Sequence, residues 1–387
     1  MGTAYIVDAV RTAGGRRNGR LSGIHAVDLA AISLNAILAR SDFDPQAVED
    51  VIMGCVGQVG EQSMHVGRNA VLASNLPLKT PAVTIDRQCG SSQQAVQFAA
   101  QAVMSGTQDI VIAAGVESMS RVPMGTAMLR DKGAQPWPES VLGRFGVPEF
   151  SQFNGAEMIA RKWGFDRDRI DAFGLDSHRR GAAATAAGAF SREIVPVEIT
   201  LPDGSKDIHL SDEGIRYDAS LEGMAGVKPL FEEGVVTAAT ASQITDGSSA
   251  ALIVSERALA EHGLTPLARI VNLTVTAGDP VIMLEEPLFA TDRALARAGL
   301  RIDDIDLYEV NEAFAPVPMA WLEHTGADPA RLNVNGGGIA LGHPLGATGT
   351  KLLATLAHAL RARGKKYGLQ TMCEGGGIAN VTIIEAL

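Results

Sequence analysis

The sequence contains few cysteines and no long run of apolar residues. Cys55, Cys89 and Cys373 are its only cysteines in 387 residues, an odd, sparse set that excludes a disulfide framework and indicates a reducing, cytoplasmic compartment. No apolar run approaches the roughly 18 residues of a membrane-spanning helix. The first residues lack the basic and apolar regions of a signal peptide, so we expect none. No cysteine or histidine cluster has metal-ligand spacing, so we expect no metal site.

Aromatic residues and positive charges are also scarce. Lys and Arg number 33 against 44 Asp and Glu, and the formal net charge of −11 argues against a nucleic-acid surface. A local basic patch for a phosphorylated ligand stays possible. Aromatic residues make up 5% of the chain whereas glycines number 42, which suits an α/β protein with many tight turns. The chain is long enough for two or three domains' worth of core.

Predicted strands and helices alternate at both ends of the chain. We predict strands near 4–8, 50–56, 82–86, 109–115, 249–255, 268–276, 305–309, 332–334, 367–373 and 380–386. We predict helices near 27–39, 66–74, 90–105, 287–298, 315–325 and 346–362. This alternation indicates βαβ units and a largely parallel sheet. The order βαβαβαββ can be read once in each half of the chain, which predicts an internal repeat.

The stretch between these two parts, residues 118–244, has a different composition. It is rich in Gly, Pro, Met and charge, and it contains two predicted helices near 154–163 and 167–187. This composition is typical of an insertion or lid rather than of further sheet. We therefore predict three units, namely an N-terminal half (1–117 plus 245–264), an inserted loop domain (118–244) and a C-terminal half (265–387).

Cys89 lies where a predicted strand ends and a predicted helix begins. Unpaired N–H groups and about half a positive charge at a helix N-terminus stabilise a thiolate. The position therefore predicts a usable nucleophile near neutral pH. A small apolar filler at a buried turn is the alternative interpretation of a lone cysteine, but two later stretches favour the nucleophile.

The first of these stretches, residues 333–349, reads NVNGGGIALGHPLGATG. Its glycines permit positive φ and close approach of the backbone, and Pro344 fixes the turn beside His343. A histidine in such a loop before a helix is well placed as a general base or an oxyanion donor. Neither a phosphate-binding loop nor a GxGxxG dinucleotide motif fits the spacing. If the halves pack about a pseudo-twofold axis, Cys89 and His343 stand at equivalent helices that converge on one site.

In the second stretch, Cys373 leaves a predicted strand directly into three glycines at 375–377. The N–H groups of such a turn can hold an oxyanion. The alternative is a tight hairpin with a filler cysteine. A further segment, residues 309–315 (EVNEAFA), places an amide and two carboxylates at another strand end.

Together these four segments resemble the thiolase family, the acetyl-CoA acyltransferases. The resemblance covers essentially the whole chain; residues 333–349 are similar to the family's histidine signature, and NEAFA and CEGGG to its other two active-site loops. It implies a five-layered αβαβα fold of two βαβαβαββ halves with an inserted CoA-binding domain. It also implies a 3-ketoacyl-CoA thiolase acting in β-oxidation of lipid or steroid side chains. CoA would be a substrate rather than a tightly bound cofactor, and the enzyme a homodimer or a dimer of dimers.

The resemblance also implies roles for individual residues. Cys89 would carry the acyl group, His343 would activate it, and Cys373 would move the proton at the α-carbon of the acetyl unit. Asn311, through a bound water, would hold the thioester oxygen together with His343. The N–H groups of Cys89 and Gly375 would hold the oxygen of the acyl-enzyme. The residues expected to contact CoA are Arg216, Phe231, Ser242 and Phe314.

Several residues depart from the family's pattern. Asp86 stands where Asn is expected, and its carboxylate opposes thiolate formation at Cys89 unless it is paired, for instance with Arg87. We expect these departures to mark a branch with an unusual, bulky acyl substrate. The other departures are Gly90, Gln93, Gly338, Ala379 and residues 152–155, which read QFNG in place of Met-Gly-x-Thr.

Three other functions stay open at the level of the sequence. A biosynthetic acetoacetyl-CoA thiolase uses the same chemistry. A decarboxylating ketoacyl synthase shares the fold but is expected to carry His or Asn in place of Cys373. A non-catalytic acyl-CoA or lipid carrier is expected to lack Cys89 or His343, and both are present.

Overall fold

A computed structural model describes residues 2–201 and 203–387. Its strands are β1 (Ala4–Thr12), β2 (Gly15–Arg16), β3 (Asp50–Gly54), β4 (Ala82–Ile85), β5 (Ile110–Ser118), β6 (Ile194–Val195), β7 (Val197–Thr200), β8 (Lys206–His209), β9 (Thr245–Ser255), β10 (Ala268–Ala277), β11 (Leu307–Val310), β12 (Tyr367–Glu374) and β13 (Ile378–Ala386). Its α-helices are α1 (Ala26–Ser41), α2 (Val66–Ala73), α3 (Ser91–Ser105), α4 (Glu139–Phe145), α5 (Gln152–Lys162), α6 (Arg167–Ala186), α7 (Leu221–Ala225), α8 (Glu256–His262), α9 (Glu286–Ala298), α10 (Pro316–Thr325), α11 (Gly338–Leu341) and α12 (Thr348–Ala362). The predicted helices are confirmed. None of the helices in the described ranges combines the length and the apolar character that crossing a membrane requires.

The strands form two groups that meet at one short junction. Their order is β4-β3-β5-β9-β1 in the N-terminal group and β10-β13-β12-β11 in the C-terminal group. Strands β1 and β10 join the groups by pairing Tyr5 with Arg269 and Ile6 with Ala268. In each group the last strand inserts beside the first, which confirms the predicted repeat.

The prediction of a largely parallel sheet is wrong. Strand β3 pairs parallel with β4 and β5, and β11 pairs parallel with β12. The closing strands β9 and β13 instead run antiparallel to both of their neighbours. Because each closing strand lies inside its group, it makes two of the four pairings antiparallel in the N-terminal group and two of the three in the C-terminal group.

The predicted strand near 332–334 is also wrong. Leu332 forms only an isolated bridge with Tyr308, and Asn333 takes a φ of 42°, which turns the backbone away from the sheet. The Asn333 side chain makes the hydrogen bonds that a neighbouring strand would otherwise make with Val310. Its Oδ1 accepts from Val310 N–H and its Nδ2 donates to Val310 O, both at 2.9 Å.

Helices α3 and α12 lie between the two groups of strands, so the fold has the five layers αβαβα that the resemblance implied. Buried residues of both helices pack against strands from both groups. Helices α1 and α2 cover the outer face of the N-terminal group. Helices α9, α10 and α5 cover the outer face of the C-terminal group.

The stretch between β5 and β9 holds the two predicted helices, now α5 and α6, and more strand than expected. Strands β7 and β8 form an antiparallel hairpin, and β6 pairs parallel with β1 through Arg11 and Ile194. The hairpin strand β7 alternates buried and exposed residues. This alternation covers only four residues, so the composition of the whole stretch does not reveal it.

Candidate active site

Cys89 lies at the end of a tightly hydrogen-bonded loop between β4 and α3. Gln88 adopts a φ of 48°, and its N–H donates to Asp86 Oδ1 at 2.6 Å. The Ser91 hydroxyl accepts from Arg87 N–H at 2.9 Å and donates to Gln88 O at 2.6 Å. These bonds hold the half-buried Cys89 at the N-terminus of α3, where the sequence predicted it.

The thiol of Cys89 is not acidified by this position, contrary to expectation. Burial and the neighbouring carboxylate of Glu374 raise the pKa of Cys89 to about 12, and Asp86 adds to the effect. Asp86 is bonded to the backbone and side chain of Gln88, so the suggested pairing with Arg87 is wrong. Cys89 is therefore a thiol at neutral pH and needs a base that removes its proton as it attacks.

The hydrogen bonds of His343 fix which of its ring nitrogens carries the proton. Nδ1 lies 2.5 Å from Thr348 Oγ1, and the Thr348 hydroxyl donates its own proton to Pro344 O at 2.8 Å. Because a hydroxyl has one proton to donate, Nδ1–H must be the donor to Oγ1. Nε2 therefore keeps its lone pair. It lies 3.3 Å from Asn311 Nδ2, a donor.

His343 is neutral throughout the neutral pH range. Burial and the positive charge of Lys351 lower its pKa to about 3. Lys351 Nζ donates to the carbonyls of Leu341 at 2.8 Å and Gly342 at 2.6 Å, so its charge is fixed behind the histidine loop. A separated thiolate and imidazolium are both disfavoured in this site. A base in this site would therefore take a thiol proton only as the sulfur forms a new bond.

Glu312 fastens the loop that carries Asn311. Its carboxylate accepts from Ser177 Oγ at 2.6 Å, Asn333 Nδ2 at 2.8 Å and Ile339 N–H at 3.1 Å. These bonds join α6, the end of β11 and the histidine loop. Asn311 Oδ1 is buried and has no hydrogen-bond partner among the described residues. One acceptor of the site is thus left for a ligand or a water to satisfy.

Cys373 lies at the end of β12, close to the Cys89 loop. Its side chain is fully buried, and burial, Cys89 and Glu374 raise its pKa well above that of an ordinary thiol. Glu374, the residue after Cys373, lies against Gly90, the residue after Cys89, since a Cβ on Gly90 would come 1.9 Å from Glu374 Oε1, so the two cysteines are neighbours. The glycine turn passes close to the Cys89 loop, since a Cβ on Gly375 would lie 3.0 Å from Gln88 Oε1.

The four residues predicted to contact CoA do not line one cavity. Arg216 is exposed and lines a cavity of about 410 Å³ in the inserted stretch. Phe231 lines a second cavity of about 370 Å³ beside α5. Ser242 N–H donates to Ala313 O at 2.9 Å, and Phe314 is buried, so these two attach the end of the insertion to the loop of Asn311.

Comparison with known proteins identifies the family. The family models described as thiolase, N-terminal domain, and thiolase, C-terminal domain, match residues 4–257 and 264–386. The chain belongs to the thiolase family. The steroid 3-ketoacyl-CoA thiolase FadA6 of Mycobacterium tuberculosis is 54% identical over 392 residues, which cover 100% of this chain and 95% of that protein. The beta-ketoadipyl-CoA thiolase of Acinetobacter baylyi is 42% identical over 398 residues, 99% of each chain.

The crystal structure of human mitochondrial 3-ketoacyl-CoA thiolase has the same fold. Its TM-score is 0.92 at 36% sequence identity, and the match covers 100% of this chain and 99% of the human one. Membership of the thiolase family makes the chain an acyltransferase enzyme, as the sequence predicted.

Three residues of this thiolase site were missed by reasoning from the sequence. Thr348 sets the tautomer of His343, Lys351 lowers its pKa, and Glu374 raises the pKa of Cys89. Weak signals for them existed. Thr348 lies one turn beyond His343, Lys351 is a charge within an apolar helix, and Glu374 adjoins Cys373.

Two of the departures from the thiolase pattern have structural explanations. Gln93 Nε2 donates to Gln370 O at 3.2 Å and to Thr382 Oγ1 at 3.0 Å, so it ties α3 to the C-terminal strands. Gly338 lies against the site, where a Cβ would come 3.1 Å from Asn311 Oδ1. The first departure therefore concerns packing between the halves, and the second leaves extra room beside Asn311.

Proposed function

We propose that this thiolase is a degradative 3-ketoacyl-CoA thiolase, which cleaves its substrate with CoA and releases acetyl-CoA. The proposal is carried by two neighbouring thiols, Cys89 and Cys373, in a chain that also holds a neutral imidazole whose Nε2 carries no proton. Acyl transfer alone needs one thiol and one base. A second thiol is explained when a carbon–carbon bond is broken, because the departing carbon must receive a proton. The names of the relatives at 54% and 36% identity support the same reaction.

In the first step, the sulfur of Cys89 attacks the 3-carbonyl carbon of the substrate. Its proton passes to Nε2 of His343, which becomes an imidazolium. The N–H groups of Cys89 and Gly375 hold the oxygen that becomes negative. Fixed donors of this kind are typically worth about 10²–10³-fold in rate.

In the second step, the bond between carbons 2 and 3 breaks and leaves an acyl group on Cys89. The departing unit is the enolate of acetyl-CoA, whose oxygen is held by the imidazolium of His343 and by Asn311 through a water. Cys373 gives its proton to carbon 2 and takes up the proton carried by the His343 imidazolium, so both groups are neutral in the acyl-enzyme. Because the pKa of Cys373 is raised, this thiol holds its proton until the enolate forms.

In the third step, a second CoA attacks the acyl group on Cys89. The thiol proton of CoA passes to Nε2 of His343, and the tetrahedral intermediate expels the sulfur of Cys89. That sulfur takes back the proton from His343. All three groups return to their starting protonation states, and acyl-CoA leaves.

We propose that residues 118–244 form the CoA-binding domain, inserted into an N-terminal half of residues 1–117 plus 245–264 and followed by a C-terminal half of 265–387. Arg216 is an exposed cation that lines a cavity, which suits the phosphates or adenine of CoA. Ser242 would contact the pantetheine arm, with Phe231 and Phe314 beside it. CoA is then a substrate that comes and goes rather than a resident cofactor.

We further propose that the acyl group is bulky, as in the steroid thiolase FadA6 at 54% identity. The departure at residues 152–155 supports this, because Phe153 adds an aromatic surface next to the site. Its ring stacks edge-to-face on Phe314 with centroids 5.6 Å apart, and its side chain stays 37% exposed. A partly exposed ring on the wall of a site is available for apolar contact with a ring-bearing substrate.

We propose a homodimer, or a dimer of such dimers, assembled through the free edge of β4. This strand ends the N-terminal group, and large apolar side chains are exposed close to it in sequence, with Met64 at 86%, Leu78 at 76% and Val83 at 40%. An open edge flanked by apolar surface is a typical site of association. The free thiols of Cys89 and Cys373, both needed reduced for catalysis, support a cytoplasmic location.

The deciding experiment is thiolysis of a series of 3-ketoacyl-CoAs that vary in chain length and ring content. We expect kcat/KM to be higher for long or ring-bearing substrates than for acetoacetyl-CoA. Activity confined to acetoacetyl-CoA would contradict this proposal and would indicate a biosynthetic acetoacetyl-CoA thiolase. Lack of any cleavage by a folded, CoA-binding protein would favour a carrier.

A further inference from the structure

Glu374 is a buried carboxyl beside both thiols, and the steps above do not use it. Its side chain is fully buried at the end of β12. When the Asn380 amide is oriented so that its oxygen accepts from Gln94 N–H at 3.2 Å, its nitrogen donates to Glu374 Oε1 at 2.9 Å. Glu374 Oε2 has no hydrogen-bond partner within the described part of the chain. A carboxyl in this setting is poorly suited to carrying a permanent charge.

The carboxyl occupies the space that a side chain at residue 90 would fill. Gly90 is the N-cap of α3 and has a φ of −87°, a conformation open to any residue, so its backbone does not require glycine. An ideal Cβ at this position would lie 1.9 Å from Glu374 Oε1. The missing side chain thus lets the carboxyl reach the N-terminus of the helix that follows Cys89.

One helix N-terminus therefore faces two groups that can each become an anion. Its partial positive charge favours either anion, but two negative charges in one buried site oppose each other. Negative charge on Glu374 raises the pKa of both Cys89 and Cys373. Burial raises the pKa of Glu374 well above its ordinary value, and the charge of Arg87 opposes this. The other charges that raise the pKa of Cys89 are those of Asp86 and Glu117.

We infer that Glu374 is a positioning residue whose carboxyl must be neutral for Cys89 to give up its proton, and whose ionisation holds Cys89 as a thiol. The catalytic consequence rests on the proposed function, whereas the effect on the thiol depends on no substrate. A neutral carboxyl leaves the helix N-terminus to the sulfur and to the oxyanion held by the Cys89 N–H. Ionisation of Glu374 at rising pH therefore slows acylation of Cys89.

Alkylation of Cys89 by iodoacetamide, followed by mass mapping from neutral to alkaline pH, tests the effect on the thiol. The variants E374Q and E374M both remove the charge of Glu374. If one of them fails to fold, the other still tests the inference. E374D keeps the charge, and E385Q removes a carboxyl that pairs with Arg269 on a different part of the sheet. If loss of the charge raises the thiolate fraction of Cys89 tenfold, we expect E374Q and E374M to react about three- to tenfold faster than the wild type. E374D and E385Q should react at rates close to that of the wild type.

Acylation of Cys89 by acetyl-CoA, timed by intact-protein mass spectrometry, provides the second readout. The wild-type rate should fall on the alkaline side, and this fall should be absent in E374Q and E374M. Equal alkylation rates in all variants, or slower alkylation in the two charge-free ones, would overturn the inference. A protein that shows the alkylation pattern but cleaves no 3-ketoacyl-CoA would refute the proposed function and leave the role of Glu374 standing.

Discussion

His343 Nε2 lies 3.3 Å from Asn311 Nδ2, so the loop after β11 and the loop before α12 meet at the basic nitrogen of the site. The amide nitrogen can only donate, which makes Nε2 the acceptor. Thr348 leads to the same assignment from the other side of the ring, because it obliges Nδ1 to carry the proton. Two hydrogen bonds therefore specify one tautomer, and it is the tautomer that the proposed proton transfer from Cys89 requires.

Replacing Thr348 with Val should slow acylation of Cys89 by about 10- to 10³-fold, a part of the roughly 10²–10⁴-fold that a positioned base contributes. The valine cannot accept from Nδ1, so the proton is free to move to Nε2. Single-turnover acylation by acetyl-CoA measures the effect. The variant T348S keeps the hydroxyl and should retain near wild-type acylation. If T348V acylated as fast as T348S, the tautomer assignment would be wrong.

The acylation rate should not fall between neutral pH and about pH 5. His343 acts as a base only when neutral, and its pKa of about 3 keeps it neutral over this range. A histidine with the ordinary pKa of about 6.5 would instead be mostly protonated at pH 5. Rapid-quench acylation in buffers of constant ionic strength measures this profile. A loss of rate with a midpoint near pH 6.5 would show that burial and Lys351 do not depress the pKa as described.

Replacing Cys373 with Ala should separate the two halves of the reaction. Acylation of Cys89 needs His343 and the oxyanion donors, which the change spares, so the acyl-enzyme should still form. Carbon–carbon cleavage should fall by about 10²–10⁴-fold or more, since its proton donor is gone. The wild type should exchange the α-hydrogens of acetyl-CoA with deuterated water, and the variant should not. Undiminished exchange would assign the carbon acid–base role to another residue, His343 first.

Cys89 should be the cysteine most readily alkylated, and acyl-CoA should protect it. The reason is access rather than acidity. Cys89 is half-buried, whereas Cys55 and Cys373 are fully buried, but its raised pKa keeps the rate low at neutral pH. Limited iodoacetamide treatment with peptide mapping tests this. Preferential labelling of Cys55 with parallel loss of activity would contradict the assignment of the nucleophile.

Replacing Phe153 with Ala should reduce the preference of the enzyme for bulky over short acyl groups. Loss of an apolar contact worth about 1.5–3 kcal/mol corresponds to roughly a ten- to hundredfold change, and only substrates that reach the ring should lose it. The measurement is the ratio of kcat/KM for a ring-bearing and a short 3-ketoacyl-CoA. The exposed Phe145 gives a control, because F145A removes a ring of the same insertion that stacks on Phe150 instead. An equal change in both variants would show that Phe153 does not contact the acyl group.

The sequence was sufficient for the repeat and for the positions of Cys89 and His343, because each lies in a local strand–turn–helix pattern rich in glycine. It was insufficient for the direction of the strands. The antiparallel course of β9 depends on its insertion between β1 and β5, which no local pattern encodes. The roles of Asn311 and Cys373 came from the resemblance; the structure places Asn311 against His343 and Cys373 close to the Cys89 loop.

The acidity of Cys89 could not be predicted from its own neighbourhood. A helix N-terminus alone predicts a lowered pKa, but burial and Glu374 outweigh it. Glu374 belongs to the other half of the chain, and it meets the helix only because Gly90 carries no side chain. Contacts of this kind follow from the packing of the two halves rather than from sequence spacing.

The position of β1 determines when the chain can fold during its synthesis. This strand lies between β9 and β10, whose residues leave the ribosome only after Thr245 and Ala268 have been added. Proteins are made from the N-terminus at about 5–20 residues per second, so the first strand waits many seconds without either long neighbour. Nascent chains should therefore stay sensitive to protease and to chaperone binding until β10 emerges, although the whole of the Cys89 half has by then been translated.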